Sequence, residues 1–83
     1  MQDAHNFGLK LRALRQHRDL STRELAEQLG YNAHGHIVTI ELGQRMPSLD
    51  VVLRVSSFFG VSTDLLLRDS YSVEDVLAAI PAQ

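Results

Sequence analysis

Two closely spaced histidines, His34 and His36, are the residues most able to carry metal chemistry. Imidazole nitrogens are common zinc ligands, and a His-x-His pair would supply two of the usual four. The sequence has no cysteine, and no carboxylate lies beside the pair in residues 31–37, so the ligand set is incomplete. We therefore predict no metal and no cofactor, and we interpret both imidazoles as hydrogen-bond donors.

A catalytic arrangement is not evident either. Ser21 is followed three residues later by Glu24, which is the spacing of a helix capping box and explains the serine without a nucleophilic role. Asp50 and Asp64 fall in the first turns of expected helices, where a carboxylate interacts favourably with the helix dipole. With neither a glycine-rich phosphate loop nor a Ser/His/Asp grouping, we predict that the chain is not an enzyme and has no small-molecule ligand.

Size and composition predict one small cytoplasmic domain. The chain has 83 residues and no cysteine, and no apolar run approaches the roughly 20 residues needed to span a bilayer. The first five residues are polar and do not resemble a signal peptide. We expect a bacterial or phage protein that is associated with the nucleoid and makes no membrane contact.

The charge distribution is uneven along the chain. The net charge is −2, yet residues 1–45 carry six basic and five acidic side chains, whereas residues 46–83 carry two basic and five acidic ones. Because a binding surface responds to the local field rather than to the net charge, the first half is the better candidate for contact with an anionic partner.

Apolar spacing and boundary residues predict an all-helical chain. The expected helices cover residues 4–17, 22–29, 34–42, 49–59, 63–67 and 73–80. Leu49, Val52, Leu53 and Phe59 are expected on the buried face of the fourth helix, and Leu42 is a further candidate for the core. The β-branched residues 37–40 are also compatible with a strand, but their glycine-bounded, polar surroundings favour a helix.

The second and third helices have the features of a helix-turn-helix. Ala26 is small enough for a close helix crossing, Gly30 allows the chain to turn, and Ile37 and Ile40 are spaced to face the second helix. Such a pair presents the later helix, here about residues 34–42, to a DNA major groove about 12 Å wide.

The sequence resembles the Cro/phage-repressor (XRE-type) family of helix-turn-helix regulators over residues 7–67. The matching segments are Phe7-Gly8, Leu11-Arg12-Ala13-Leu14-Arg15, Leu20-Ser21-Thr22-Arg23-Glu24-Leu25-Ala26, Leu29-Gly30, Ile40-Glu41-Leu42-Gly43, Pro47-Ser48-Leu49 and Phe59-Gly60-Val61-Ser62. The resemblance implies a compact five-helix domain, to which this chain adds a short C-terminal helix. It also implies that the third helix reads DNA and that Arg15 pairs with Glu41.

The turn is longer than the family's commonest form. Ten residues separate Gly30 from Glu41, one more than usual, and only an insertion among residues 31–35 keeps Ile37 and Ile40 facing inward. Some regulators that resemble controller proteins of restriction–modification systems have such a turn. Tyr31 is expected to pack over it, and the base-reading residues are defined to within one position.

Two sets of residues are candidates for DNA contact. The base-reading set is Asn32, Ala33, His34, His36, Val38 and Thr39. The phosphate-contacting set is Thr22, Arg23, Gln44, Arg45 and Arg12. The first set lacks Arg, Lys and Gln, the strongest base readers, so part of the specificity is expected to come from half-site spacing and DNA shape.

The C-terminal third predicts self-association. We divide the chain into a DNA-binding domain, residues 1–69, and a C-terminal helix, residues 70–83, that extends a homodimer interface. The expected interface residues are Val55, Phe58, Leu65, Leu66, Val73, Val76, Leu77 and Ile80. The alternative is that the last helix folds back on its own chain.

Three functions remain open from the sequence. The first is a sequence-specific transcriptional regulator that binds palindromic double-stranded DNA as a homodimer. The second is an antitoxin that also binds a toxin, and the third is a protein-interaction module that has lost DNA binding. The acidic net charge and the arginine-poor third helix favour the last of these.

Overall fold

The computed structural model describes residues 6–81. These residues form six α-helices and no strand, as the sequence predicts. The helices are α1 (Phe7–His17), α2 (Thr22–Leu29), α3 (Gly35–Glu41), α4 (Leu49–Phe59), α5 (Thr63–Leu67) and α6 (Val73–Ala78). No helix in this part of the chain is long and apolar enough to cross a membrane.

The observed bounds of α2, α4 and α5 are the predicted ones, and those of the other three helices differ at one or both ends. The predicted start of the first helix at Ala4 lies outside the described residues. The third helix is one residue shorter at each end than predicted, because His34 and Leu42 are its cap residues. The last helix ends at Ala78, with Ala79 as its C-cap, two residues before the predicted end at Ile80.

Serine side chains define where four of the helices begin. Each accepts a hydrogen bond from the backbone N–H three residues further on, and such a cap stabilises a helix by about 1 kcal/mol. The four serines are Ser21, Ser48, Ser62 and Ser72. The caps at Ser21 and Ser72 are complete capping boxes, with Glu24 and Asp75 as the reciprocal acceptors.

One apolar core joins the helices. Its fully or nearly fully buried side chains are Phe7, Leu11, Leu14, Leu25, Ala26, Leu29, Ile37, Ile40, Val51, Val52, Val55, Phe59, Val61, Leu66 and Val76. At roughly 1.5–3 kcal/mol for each large apolar side chain, this burial is the main favourable contribution to folding.

The buried face of α4 differs in part from the predicted one. Val52 and Phe59 are buried as expected. Leu49 and Leu53 are 72% and 51% exposed, and Val51 and Val55 are buried in their place. Both sets recur at helical spacing, so the sequence pattern fits either rotation of α4, and packing against the other helices selects the valines. Leu42, a further candidate for the core, is 61% exposed.

The first helix approaches the end of α3 very closely at Gly8. A Cβ atom at Gly8 would lie 2.9 Å from the carbonyl oxygen of Glu41 and would also collide with the carbonyl oxygen of Ile40. The absence of a side chain at this position therefore determines how near α1 and α3 can pack.

A buried lysine attaches α1 to the end of α5. The Lys10 ammonium donates to the carbonyl oxygens of Leu65 and Arg68, each at 2.7 Å. These carbonyls belong to the C-terminal end of α5, which has no further helical turn to supply donors and favours a cation. Beside this contact, the Asn6 backbone N–H donates to the Asp69 carboxylate at 3.0 Å.

The last helix packs on its own chain, against α1 and α5. The sequence left this packing open as the alternative to a dimerisation extension. Val76 belongs to the common core, and Leu77 and Ile80 pack against it. Val55, Leu66 and Val76 were expected at a dimer interface, but each is at most 1% exposed within the single chain. Their side chains are therefore unavailable to a second copy.

Candidate nucleic-acid interface

The helix-turn-helix pair is built as the apolar pattern predicts. Ala26 on α2 is 2% exposed, and Ile37 and Ile40 on α3 are 0% and 1% exposed. Gly30 ends α2 in the left-handed conformation with φ of 87°. The register that places the extra residue in the turn is therefore correct, and the opposite side of α3 faces away from the core.

The predicted base-reading residues occupy the start and the outer side of α3. Asn32, Ala33 and His34 are exposed, and His36, Val38 and Thr39 are partly buried. The His34 side chain makes no cap hydrogen bond to α3, which leaves its imidazole available to a ligand. The Thr39 hydroxyl donates to the His36 carbonyl oxygen at 3.0 Å, so the hydroxyl oxygen and the methyl group remain available for contacts.

Two surface clefts group the candidates from different elements. A cleft of about 190 Å³ brings Arg12 of α1 and Thr22 of α2 together with Val38 of α3. A second, more polar cleft of about 230 Å³ brings Arg23 of α2 together with Asn32 and His34 at the start of α3. Residues from both predicted sets therefore lie side by side, with backbone-contacting candidates next to base-reading ones.

The first turn of α2 contributes backbone donors to this surface. The capping box already occupies the Glu24 amide, which donates to the Ser21 hydroxyl at 3.0 Å. The amides of Thr22 and Arg23 precede it at the same helix end, where the helix dipole favours an anion. Thr22 also borders the cleft that contains Arg12.

Gln44 and Arg45 lie apart from both clefts. They belong to the connection between α3 and α4 and are exposed. Gly43 precedes them with φ of 76°, a left-handed conformation that reverses the chain after α3. The two side chains therefore stand beyond the C-terminal end of α3, while Arg23 stands near its N-terminal end.

Arg15 and Glu41 form the ion pair that the family resemblance implies. The Arg15 Nε donates to Glu41 Oε2 at 2.7 Å, and its Nη2 donates to Oε1 at 3.0 Å. The hydrogen bond to Glu41 is the main reason why the pKa of Arg15 rises above its usual value. Arg15 Nη1 also donates to the Leu20 carbonyl oxygen at 2.8 Å, which joins the α1–α2 connection to the same pair.

The turn between α2 and α3 is attached to α4 through Tyr31. Its hydroxyl donates to Asp50 Oδ2 at 2.6 Å, and the Arg54 guanidinium carbon lies 5.2 Å from the centre of its ring. On the other side, the Tyr31 and His36 rings are 5.5 Å apart. Partial burial, followed by the hydrogen bond to Asp50, raises the pKa of Tyr31 to about 12.

Arg54 completes this attachment by holding the end of α2. Its Nε donates to the Asp50 carboxylate at 2.9 Å, and its Nη1 donates to the Leu29 carbonyl oxygen at 2.7 Å. The hydrogen bonds from Tyr31 and then from Arg54 lower the pKa of Asp50. A single α4 arginine thus links the last turn of α2, the turn residue Tyr31 and the first turn of α4.

The histidine pair does not acquire further metal ligands in the fold. Within residues 6–81, no three His, Cys, Asp or Glu side chains come close enough together to hold a metal ion. His36 instead faces the Tyr31 ring.

A family model described as a helix-turn-helix domain matches residues 6–68. The chain belongs to this helix-turn-helix family. The match covers the two clefts, the Arg15–Glu41 pair and the Tyr31 attachment, and it confirms the resemblance to Cro/phage-repressor regulators.

Two curated relatives of this helix-turn-helix protein come from bacterial phages. One is an uncharacterized HTH-type transcriptional regulator, YonR, derived from the SPbeta prophage of Bacillus subtilis, with 31% identity over 70 residues, or 84% of this chain and 64% of the relative. The other is the transcriptional repressor RstR of the cryptic phage CTXphi in Vibrio cholerae, with 34% identity over 64 residues, or 77% of this chain and 57% of the relative. The chain thus spans about three fifths of the length of these relatives.

Solved structures share the fold of this helix-turn-helix protein. The restriction–modification controller protein C.AhdI from Aeromonas hydrophila matches with a TM-score of 0.63 and 30% identity, over 72% of this chain and 89% of that one. A transcriptional regulator from Listeria innocua matches with a TM-score of 0.70 over 87% of this chain and 63% of that one, and at 22% identity it speaks for the fold alone. These relatives are named as regulators, in agreement with the prediction of a protein that is not an enzyme.

Sequence reasoning missed the part that α4 plays in this helix-turn-helix protein. It assigned Asp50 to the helix dipole and gave Arg54 no role. The spacing of four residues between them is that of an ion pair on one helix face, and this signal was available. The contacts to Tyr31 and Leu29 cross between elements, so no spacing rule indicates them.

Proposed function

We propose that this chain binds double-stranded DNA in a sequence-specific manner as a homodimer, with α3 in the major groove, and so regulates transcription. The observation that carries the proposal is the outer side of α3. This side is accessible, and the opposite side of α3 is an apolar stripe buried in the core. A candidate for contact with the DNA backbone lies at each end of the helix, Arg23 at one and Arg45 at the other.

The base contacts follow from the chemistry of the side chains at the start and on the outer side of α3. Asn32 can bond the edge of adenine, and His34 and His36 can donate to guanine or to a phosphate. Val38 and the Thr39 methyl group can contact thymine methyl groups. Each good contact of this kind discriminates by about 1–3 kcal/mol, so these few side chains support a specific but not an extreme preference.

The backbone contacts are proposed for the rim around α3. Arg12, Thr22, Arg23, Gln44 and Arg45 supply cations, an amide and helix-terminal N–H groups, all of which are ordinary partners of phosphate oxygens. Such contacts orient the protein on the duplex and release counterions, so they make binding salt-dependent. The grouping of Arg12 with Val38 in one cleft, and of Arg23 with Asn32 and His34 in the other, supports this proposal.

The homodimer is proposed to use the apolar side chains that the single chain leaves partly exposed. After the buried residues are removed from the predicted interface, the remaining ones are Phe58, Leu65, Val73, Leu77 and Ile80. Phe58 borders an open groove of about 430 Å³ with Leu29 and Leu53. A two-fold dimer would match palindromic half-sites about one helical turn, or 34 Å, apart.

Selection of bound sequences from a random DNA pool tests the proposal directly. An enriched palindrome is expected, and its affinity should fall as salt rises. Arg23→Gln and Arg45→Gln should each reduce the slope of log affinity against log salt by about 0.9, the value for one phosphate contact. Arg68→Gln is the matched control, because Arg68 is an exposed arginine at the C-cap of α5 that pairs with Asp64.

Two outcomes would contradict this function. Failure to bind the pool at low salt would favour a protein-interaction module. An equal loss of salt dependence in Arg68→Gln would show that net charge, and not the rim of α3, is responsible.

Sedimentation equilibrium tests the homodimer independently of DNA. Phe58→Ser and Leu77→Ser should each weaken self-association by about tenfold or more, as expected when an apolar anchor is removed from an interface. Met46→Ser is the control, since Met46 is 61% exposed and lies in the connection between α3 and α4. A wild-type chain that stays monomeric at micromolar concentration would contradict the dimer and leave the DNA-binding surface untouched.

A further inference from the structure

We infer that Tyr31 is a specificity-determining positioning residue, which holds the start of α3 in the place where its side chains can read bases. The inference rests on the proposed DNA-binding function and adds a role for α4, a helix outside the helix-turn-helix pair. Tyr31 acts through other residues rather than by touching DNA, because its hydroxyl is already engaged with Asp50.

The geometry shows that Tyr31 is fixed from the α4 side. Asp50 accepts its hydroxyl at 2.6 Å, and Arg54 lies over its ring at 5.2 Å while donating to the same carboxylate at 2.9 Å. The helix that carries both partners is anchored by the buried side chains of Val51 and Val55. The phenol ring is therefore held at both its face and its hydroxyl by a helix that cannot shift without disturbing the core.

Tyr31 in turn contacts the base-reading region. Its ring lies 5.5 Å from the His36 ring at an interplanar angle of 53°, a tilted aromatic contact. It also lines the polar cleft that contains Asn32 and His34. One side chain thus connects α4 with His36 and borders the cleft that Asn32 and His34 also line.

The start of α3 needs such support because this helix has no side-chain cap. Residues 31–34 lie between α2 and α3, and α3 begins without a side-chain cap, since His34 forms none. By contrast, α2, α4, α5 and α6 each have a capping serine. The Tyr31 contacts supply a constraint at the helix end where local capping supplies none.

Base readout and phosphate contact differ in their sensitivity to this constraint. A functional group must be held to within about 0.5 Å to make a directional contact, which depends on supporting hydrogen bonds behind it. A flexible arginine or glutamine at the rim can follow a phosphate over a larger distance. Loosening Tyr31 should therefore reduce sequence discrimination and leave non-specific affinity unchanged.

The test compares affinities for a selected site and for a scrambled site at one salt concentration. Tyr31→Phe keeps the ring and removes the hydroxyl, and it should lower the affinity ratio by about tenfold, roughly the value of one base contact. Asp50→Ala should have the same effect. The double variant should lose no more discrimination than Asp50→Ala alone, because both single variants remove the Tyr31–Asp50 hydrogen bond and Asp50→Ala also removes the Arg54–Asp50 ion pair. Tyr71→Phe is the matched control, on a tyrosine in the connection between α5 and α6.

Two further readouts separate positioning from simple loss of stability. Thermal unfolding should show that Tyr31→Phe remains folded at the assay temperature, and its non-specific affinity and salt slope should equal those of the wild type. The NMR signals of the His36 ring should move in Tyr31→Phe and in Asp50→Ala, but not in Tyr71→Phe.

The outcomes distinguish this inference from the function on which it rests. Wild-type discrimination that persists in Tyr31→Phe and in Asp50→Ala overturns the positioning role alone. An equal fall in specific and non-specific affinity also overturns it, because a general loss of binding is not a loss of readout. Absence of any wild-type binding at low salt overturns the DNA-binding function, and the positioning role with it.

Discussion

Arg15 of α1 and Glu41 at the end of α3 are joined by two parallel hydrogen bonds, of 2.7 and 3.0 Å. Their side chains are only 14% and 7% exposed, so the pair is shielded from water. Tyr31 holds the opposite end of the same helix through the α2–α3 turn. The helix proposed to enter DNA is therefore attached at both ends to elements outside it.

Glu41→Gln should be strongly destabilising. It leaves the Arg15 charge in a shielded site without its counter-charge, and breaking one side of such a pair costs about 3 kcal/mol or more. Urea unfolding followed by circular dichroism gives the free energy of unfolding. Glu27→Gln on the exposed side of α2 is the control and should change it little. Equal stability of the two variants would show that the ion pair contributes nothing beyond its desolvation cost.

Gly8→Ala and Gly35→Ala should change stability in opposite directions. A Cβ at Gly8 meets the backbone of α3, so the variant must separate α1 from α3, at a cost of about 2 kcal/mol or more. A Cβ at Gly35 meets nothing within 4 Å. Alanine favours a helix over glycine by about 1 kcal/mol in the helix interior, and this is the upper bound at Gly35, the first residue of α3. Paired unfolding experiments check both signs, and a neutral Gly8→Ala would contradict the close approach of α1 and α3.

The local features of this fold could be predicted from sequence, since they depend on neighbouring residues. The capping box at Ser21 and Glu24 follows from a spacing of three residues, and it is present as expected. Ile37 and Ile40 were placed inward by the same kind of reasoning, and both are buried. A helix-turn-helix is a short-range motif, so the register of its two helices, and their bounds to within one residue, could be predicted from sequence.

Choices between equivalent faces could not be predicted in this way. The fourth helix has apolar side chains at Leu49 and Leu53 as well as at Val51 and Val55, and only contacts with the other helices decide which pair is buried. The same limit applies to Leu66 and Val76, which were predicted to face a second chain. Both are buried within the single chain, where α6 packs against α1 and α5.

Lys10→Met should destabilise the chain although it makes a buried position more apolar. It removes the ammonium group that donates to the Leu65 and Arg68 carbonyl oxygens. Since the end of α5 is covered by α1 and α6, these oxygens would lose a charged donor at a cost of about 3 kcal/mol. Arg12→Met, on the exposed side of the same helix, is the control for loss of a cation. A Lys10→Met variant as stable as this control would contradict a capping role for Lys10.

The ionisation of Tyr31 reports on its partial burial and on its hydrogen bond to Asp50. In a Tyr71→Phe background Tyr31 is the remaining tyrosine, because the chain has two. Its ultraviolet absorbance should titrate with a pKa of about 12, whereas an unperturbed tyrosine titrates near pH 10, at roughly its reference pKa. Asp50→Asn removes the negative charge beside the hydroxyl, so the pKa should fall towards the reference value.

The sign of the linked stability follows from the same shift. A pKa raised in the folded state means that folding favours the protonated phenol, so this contribution is complete below about pH 10 and is lost as the pH rises through about 12. Asp50 behaves oppositely: its pKa is lowered, so its contribution is present above about pH 4 and is lost as the pH falls through its folded-state pKa. The free energy of unfolding, measured across the high and the low pH range, should show both losses of stability in the wild type. Both losses should be smaller in Tyr31→Phe. A Tyr31 midpoint near pH 10 in a folded Tyr71→Phe chain would contradict both the partial burial of Tyr31 and its hydrogen bond to Asp50, and with them the structural basis for a positioning role.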